Sequence, residues 1–159
     1  MPNYKIAETT HLGIGLSPLA DAFAGTVYSD VINMKNFGKC RFIVFGGVGA
    51  TGTSTFTVEA CDDTVPTNVS AVAFYYRQQS SNDVQGTLTA ATASGFTCTA
   101  AADRNITIEV DQKALLASGY GYVRLKAVEV ADSPVLGGIM FELCEPIATG
   151  SALTGTALT

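Results

Sequence analysis

Only a few stretches of this sequence combine residue types with a spacing that could do chemistry. Gly47-Val48-Gly49-Ala50-Thr51-Gly52 reads GxGxxG and follows the apolar run ending at Gly46. In a dinucleotide fold the third glycine opens a helix whose N-terminal N–H groups hold a pyrophosphate. Here Thr53-Ser54-Thr55-Phe56-Thr57-Val58 follows instead, β-branched and alternating, which is the pattern of a strand. Read as a phosphate loop, residues 47–54 put Thr53 where the lysine is required. Both mechanisms fail, and the segment reads as a hairpin connection.

The single histidine, His11, has no nucleophile or carboxylate near it in sequence, and reads as a polar residue of an N-terminal arm. Asp62-Asp63 reads as a turn with too few oxygen ligands for calcium. Glu109 and Asp111 lie two apart on a strand and share its solvent face, opposite Ile108 and Val110. Cys40, Cys61, Cys98 and Cys144 share no CxxC spacing and sit in or beside apolar runs, so they read as small buried hydrophobes, with one structural disulfide as the alternative. No catalytic, cofactor-binding or metal-ligating residue is assigned.

Aromatic residues are the remaining candidates. Phe74-Tyr75-Tyr76-Arg77, and Tyr120-Gly121-Tyr122 with Arg124, suit either stacking on sugars or anchoring a protein interface. Neighbours on a strand point to opposite faces, so at least one of Tyr75 and Tyr76 is expected outside. Tyr75, Tyr76 and Arg77 are therefore candidate interface residues.

These residues must be positioned by β-structure. Hydrophobic residues make up 47% of the 159 and charged residues only 14%, against roughly 25% in an ordinary domain. No apolar run approaches a membrane span, and the longest, Phe42 to Val48 and Val135 to Phe141, are strand-sized. The nine Lys and Arg are scattered singly under a net charge of -5, which argues against a nucleic-acid surface. No basic and apolar leader opens the chain, and one domain fits its length.

Eight β-type segments are expected: 26–33, 40–46, 53–60, 71–78, 84–92, 105–111, 122–130 and 135–144. One helix is expected at 112–118, stopped by Gly119. The fold class is therefore all-β, a jelly-roll-like β-sandwich over 26–145. Residues 1–25 read as an N-terminal arm carrying Leu12, Ile14 and Leu16. Residues 146–159 read as a C-terminal arm without a charged side chain, whose Ile147, Leu153 and Leu158 suit docking along another surface.

The outlines Val27 to Phe37, Cys40 to Gly47, Thr55 to Asp62, and Val110 to Lys126 resemble small sandwich proteins of tailed-phage heads. The resemblance implies a capsid decoration (cement) protein, made in the host bacterial cytoplasm and placed on the outer capsid surface. It would bind between subunits of the major capsid protein, often as a trimer, without enzymatic activity. The alternative expectation is a carbohydrate- or receptor-binding module with Tyr75, Tyr76, Tyr120 and Tyr122 as its stacking residues.

Overall fold

A computed structural model describes residues 5–47, 51–81, 83–147 and 158, the side chains of 80 and 104 excepted. Its early strands are β1 (His11–Leu19), β2 (Thr26–Tyr28), β3 (Ile32–Asn33), β4 (Phe37–Gly46), β5 (Thr53–Cys61), β6 (Val69–Val72) and β7 (Phe74–Ser81). After them come β8 (Val84–Gln85), β9 (Thr89–Ala91), β10 (Phe96–Thr97) and β11 (Arg104–Asp111). A short helix α1 (Gln112–Ala117) then leads to β12 (Tyr122–Ala131) and β13 (Gly137–Pro146). None of the helices among the described residues is long and apolar enough to cross a membrane.

The strands form two antiparallel sheets packed face to face, an all-β sandwich. The first runs β1-β13-β4-β11-β7, extended by β8 and β9; the second runs β10-β5-β12-β2, with β3 and β6 attached. Setting aside β3 and β6 to β9 leaves eight strands in the orders 1-8-3-6 and 5-4-7-2, which is the winding of a jelly roll. Strand alternation builds the core. Cys40, Phe42 and Val44 of β4, Ile106, Ile108 and Val110 of β11, and Ile139, Phe141 and Leu143 of β13 point inward from the first sheet. Phe56, Val58 and Ala60 of β5 meet them, with Val123, Leu125 and Ala127 of β12 alongside. Leu115 of α1 closes one end and is fully buried. Each buried Phe or Leu of this set contributes about 1.5–3 kcal/mol relative to exposure.

The eight strands of the winding differ from the eight expected. Residues 11–19, assigned to an arm, are a strand of the sheet, registered from His11 opposite Leu143 to Leu19 opposite Gly137. Ala22 and Phe23, also assigned to the arm, are buried in the core. The physical reason is the choice of small inward residues. Gly13 faces Phe141, and a Cβ there would stand 2.4 Å from its ring, so the inward positions of β1 carry no apolar signal. Expected strand 71–78 is two strands, because the chain crosses from the second sheet to the first at Ala73. Segments 26–33 and 84–92 are likewise divided, and the two-residue strand β10 has no pattern of its own. The glycine-rich connection after β4 joins strands of opposite sheets, so it is a cross-sheet link rather than a hairpin; residues 48–50 lie outside the described residues.

Gly13→Ala is expected to destabilise the fold by about 1–3 kcal/mol, since the buried Phe141 ring has to move. Gly121→Ala, where an added Cβ meets nothing within 4 Å, is expected to change the melting temperature little. Thermal unfolding of the two variants beside the parent checks both; equal melting of all three would refute the packing argument.

Candidate interaction surface

The outer face of the first sheet gathers most of the residues singled out from the sequence. Register lays two rows across it: Leu12, Glu142, Arg41, Glu109 and Tyr75 in one, and Ile14, Met140, Ile43, Thr107 and Arg77 in the next. These positions alternate with the buried Phe42, Ile108 and Phe141, so their side chains face away from the core. Leu12 is 57% and Ile14 53% exposed, and the half-buried Met140 and Ile43 continue the same row. The result is an apolar strip running inward from the edge strand β1.

Charge on this face is mostly paired. Arg41 binds Glu142 on the neighbouring strand through Nη2. Lys39 Nζ lies 3.2 Å from Glu145 and 3.3 Å from Glu109, and the hydrogen bond to Glu145, followed by the charge of Glu109, raises the lysine pKa. Exposed pairs of this kind add little stability; their effect is to leave little unbalanced charge beside the apolar strip.

Tyr75 stands outward and is 49% exposed, with Arg77 half-buried beside it on the same face. Tyr76 turns inward, partly buried and stacked on Phe96 with ring centroids 3.7 Å apart. Leu16 also packs partly against the core, because the register of β1 shifts between Ile14 and Leu16. Ile147 is exposed just past β13, its N–H donating to the Asn36 carbonyl at 2.9 Å. Leu153 lies outside the described residues. Leu158 forms an isolated antiparallel bridge with the fully buried Ile32 and packs against the core of its own chain.

The four tyrosines of the sugar-stacking alternative do not share a platform. Tyr75 is on the outer face of the first sheet, Tyr122 is on β12 of the second, and Tyr76 and Tyr120 pack against the core. Arg124 is engaged as well: Glu59 Oε2 accepts its Nε–H at 2.7 Å, and its guanidinium sits 4.0 Å above the Tyr28 ring. Glu59 is itself buried and also pairs with Lys126 at 3.6 Å, a network that sequence reading did not find because Glu59 lies more than sixty positions from both basic partners.

The remaining candidates have structural work. His11 stacks beside Phe141 with centroids 6.1 Å apart. Asp62 accepts four hydrogen bonds, from the backbone and side chains of Thr67 and Asn68, at 2.9–3.1 Å. The Asn68 side-chain bond leads in holding its carboxyl down to about 2. All four cysteines are free thiols; burial pushes Cys40 well up and Cys61 to about 11, away from the thiolate range that supports nucleophilic or metal chemistry. Among the described residues no three metal-binding side chains come together.

Ile43 and Met140 were missed as surface residues. Both sit in uninterrupted apolar runs, where only the register of β4 against β13 tells inside from outside. No family model, no curated protein and no solved structure matches the chain.

Folding lowers the Asp62 pKa below its usual 3.8, so the stability it confers is complete above that value and is lost as pH falls toward 2. Protection of the Thr67 and Asn68 amides, taken relative to their intrinsic exchange, is expected to fall as pH drops from about 4 to about 2 in the parent. In Asp62→Asn the turn is expected to lose this pH dependence; an unchanged exchange profile in the variant would remove Asp62 from the role.

Proposed function

We propose that this chain is a non-enzymatic virion structural protein. It decorates and stabilises a phage capsid by clamping adjacent subunits of the major capsid protein, and it associates with itself, as a trimer in the proteins it resembles. The observation that carries the reading is the apolar strip of Leu12, Ile14, Met140 and Ile43 on the outer face of the first sheet. Leu12 and Ile14 stand outward on either side of the inward Gly13, so the core gains nothing from their apolar side chains. Their type is instead suited to burial against another protein.

The surroundings support the same reading. The neighbouring charges on the face are mainly engaged with one another, which lowers the desolvation penalty of covering it. Of the carboxylates singled out from the sequence, Glu109 is held in an ion pair with Lys39 and Asp62 in the hydrogen bonds of its own turn. Jelly rolls occur in capsid and lectin domains alike, so the fold by itself does not choose between assembly and glycan binding. The dispersal of Tyr75, Tyr76, Tyr120 and Tyr122 favours assembly. Modest contacts repeated over a shell gain strength through multivalency.

The test is the copy number of the chain in purified particles, measured by mass spectrometry against the major capsid protein. A ratio near one per capsid subunit is expected, and absence from particles would overturn the reading. The double variant Leu12→Asp/Ile14→Asp is expected to melt near the parent but to lose roughly tenfold or more in particle occupancy, as hot-spot positions do. Undiminished occupancy of a folded double variant would remove this strip from the interface.

A further inference from the structure

On the same face, beside the apolar strip, lies a pocket of about 390 Å³ lined by Arg41, Tyr75, Arg77, Gln85, Thr107 and Glu109. Two of its residues have unmet donors. Among the described side chains, the buried nitrogen and oxygen atoms without a hydrogen-bond partner are Arg41 Nε and Arg77 Nε. Arg41 is tied to Glu142 through Nη2, which leaves its Nε unused. Arg77 makes no ion pair and no side-chain hydrogen bond among the described residues. A buried N–H without an acceptor is a cost to the folded state, and the two arginines that carry these groups border one cavity.

We infer that this pocket receives a single carboxylate, the side chain of an Asp or Glu on the partner protein. A guanidinium presents paired N–H groups in one plane, and a carboxylate offers two oxygens at matching separation. Glu109 on the pocket wall and the net charge of -5 oppose a doubly charged group such as phosphate. The surroundings favour a protein over an acidic sugar. Only one of the candidate stacking tyrosines, Tyr75, borders the pocket, and the row that begins at Arg77 and Thr107 runs on through Ile43 and Met140 to Ile14. A half-exposed tyrosine beside an arginine, at the end of an apolar strip, is the composition of an interface anchor. The inference deepens the assembly reading and rests on it for the partner's identity, while the chemistry of the pocket is open to test without any particle.

The full chain, labelled with nitrogen-15, is titrated with acetyl-Ala-Glu-Ala-amide, with the Gln analogue of that peptide, and with N-acetylneuraminic acid, following the arginine Nε–H resonances. The Glu peptide is expected to shift those of Arg41 and Arg77 saturably, and the Gln peptide and the sugar to leave them in place. Arg77→Lys keeps the charge but removes the planar fork, and is expected to weaken the peptide by roughly tenfold. The dispersion of its amide spectrum shows that the variant is folded. No saturable shift, an equal response to the Gln peptide, or saturation by the sugar alone would overturn the inference. The second arm measures particle occupancy of Arg77→Lys beside the parent. A drop is expected, and peptide binding by the parent with undiminished occupancy of the variant would overturn the assignment to the capsid partner. If the parent itself is missing from particles, the assembly reading fails, and the peptide arm still decides whether the pocket takes a carboxylate.

Discussion

The ring of Phe141 fills the space beneath β1, and the character of the outer surface follows from that one contact. Because the ring lies under Gly13, β1 approaches the sheet only with glycine at this inward position. The apolar residues on either side of it, Leu12 and Ile14, are left on the outside. Edge strands usually carry charge or proline to discourage pairing with other chains. This one has Pro18 near its end and a register shift between Ile14 and Leu16, while its first half keeps an unbroken register and turns Leu12 and Ile14 outward. The hydrophobic half of the edge is also the half beside Met140 and Ile43, so the strip is continuous across strands rather than a row of isolated side chains.

The two sheets treat charge differently. On the first, the Lys39 and Arg41 pairs lie partly exposed on the outer face. On the second, Glu59 lies almost wholly buried between Arg124 and Lys126, with Tyr28 against the arginine. Removing one member of such a buried set leaves an uncompensated charge and destabilises far more than any surface pair contributes. The second sheet is thus locked by its own network. The first keeps its outer face apolar at one end and supplied with unmet donors at the other.

Much of this architecture is legible in the sequence where one side of a strand faces the core and the other faces water. Thr55 to Val58, Ile106 to Val110 and Val123 to Lys126 alternate plainly, and β5, β11 and β12 follow them. The same rule separates Tyr75 from Tyr76. Legibility fails where the inward residue is small. Gly13 hides β1, and Ala73 gives no sign that the chain changes sheets there. It fails again where an outward residue is apolar between two inward ones, as Ile43 is between Phe42 and Val44 and Met140 between Ile139 and Phe141, since only the long-range pairing of β4 with β13 assigns Ile43 and Met140 to the outside. The pocket between Arg41 and Arg77 depends on that same long-range register, so the linear sequence points to Arg77 only through its neighbouring tyrosines and to Arg41 not at all.

The jelly-roll winding also sets the order of events during synthesis. β13 lies between β1 and β4, and β12 between β5 and β2, so the two strands made last are central in their sheets. Until they leave the ribosome, β1 has no partner, and the Phe42 face of β4 has nothing to close against on that side. At roughly 5–20 residues per second, the growing chain spends several seconds with these apolar edges open. Pairing the first strand with the last is also the kind of distant contact that makes all-β chains fold slowly. The nascent protein is therefore most exposed to misassembly just before β13 emerges, and a chain interrupted ahead of Gly137 lacks the strand that joins β1 to β4.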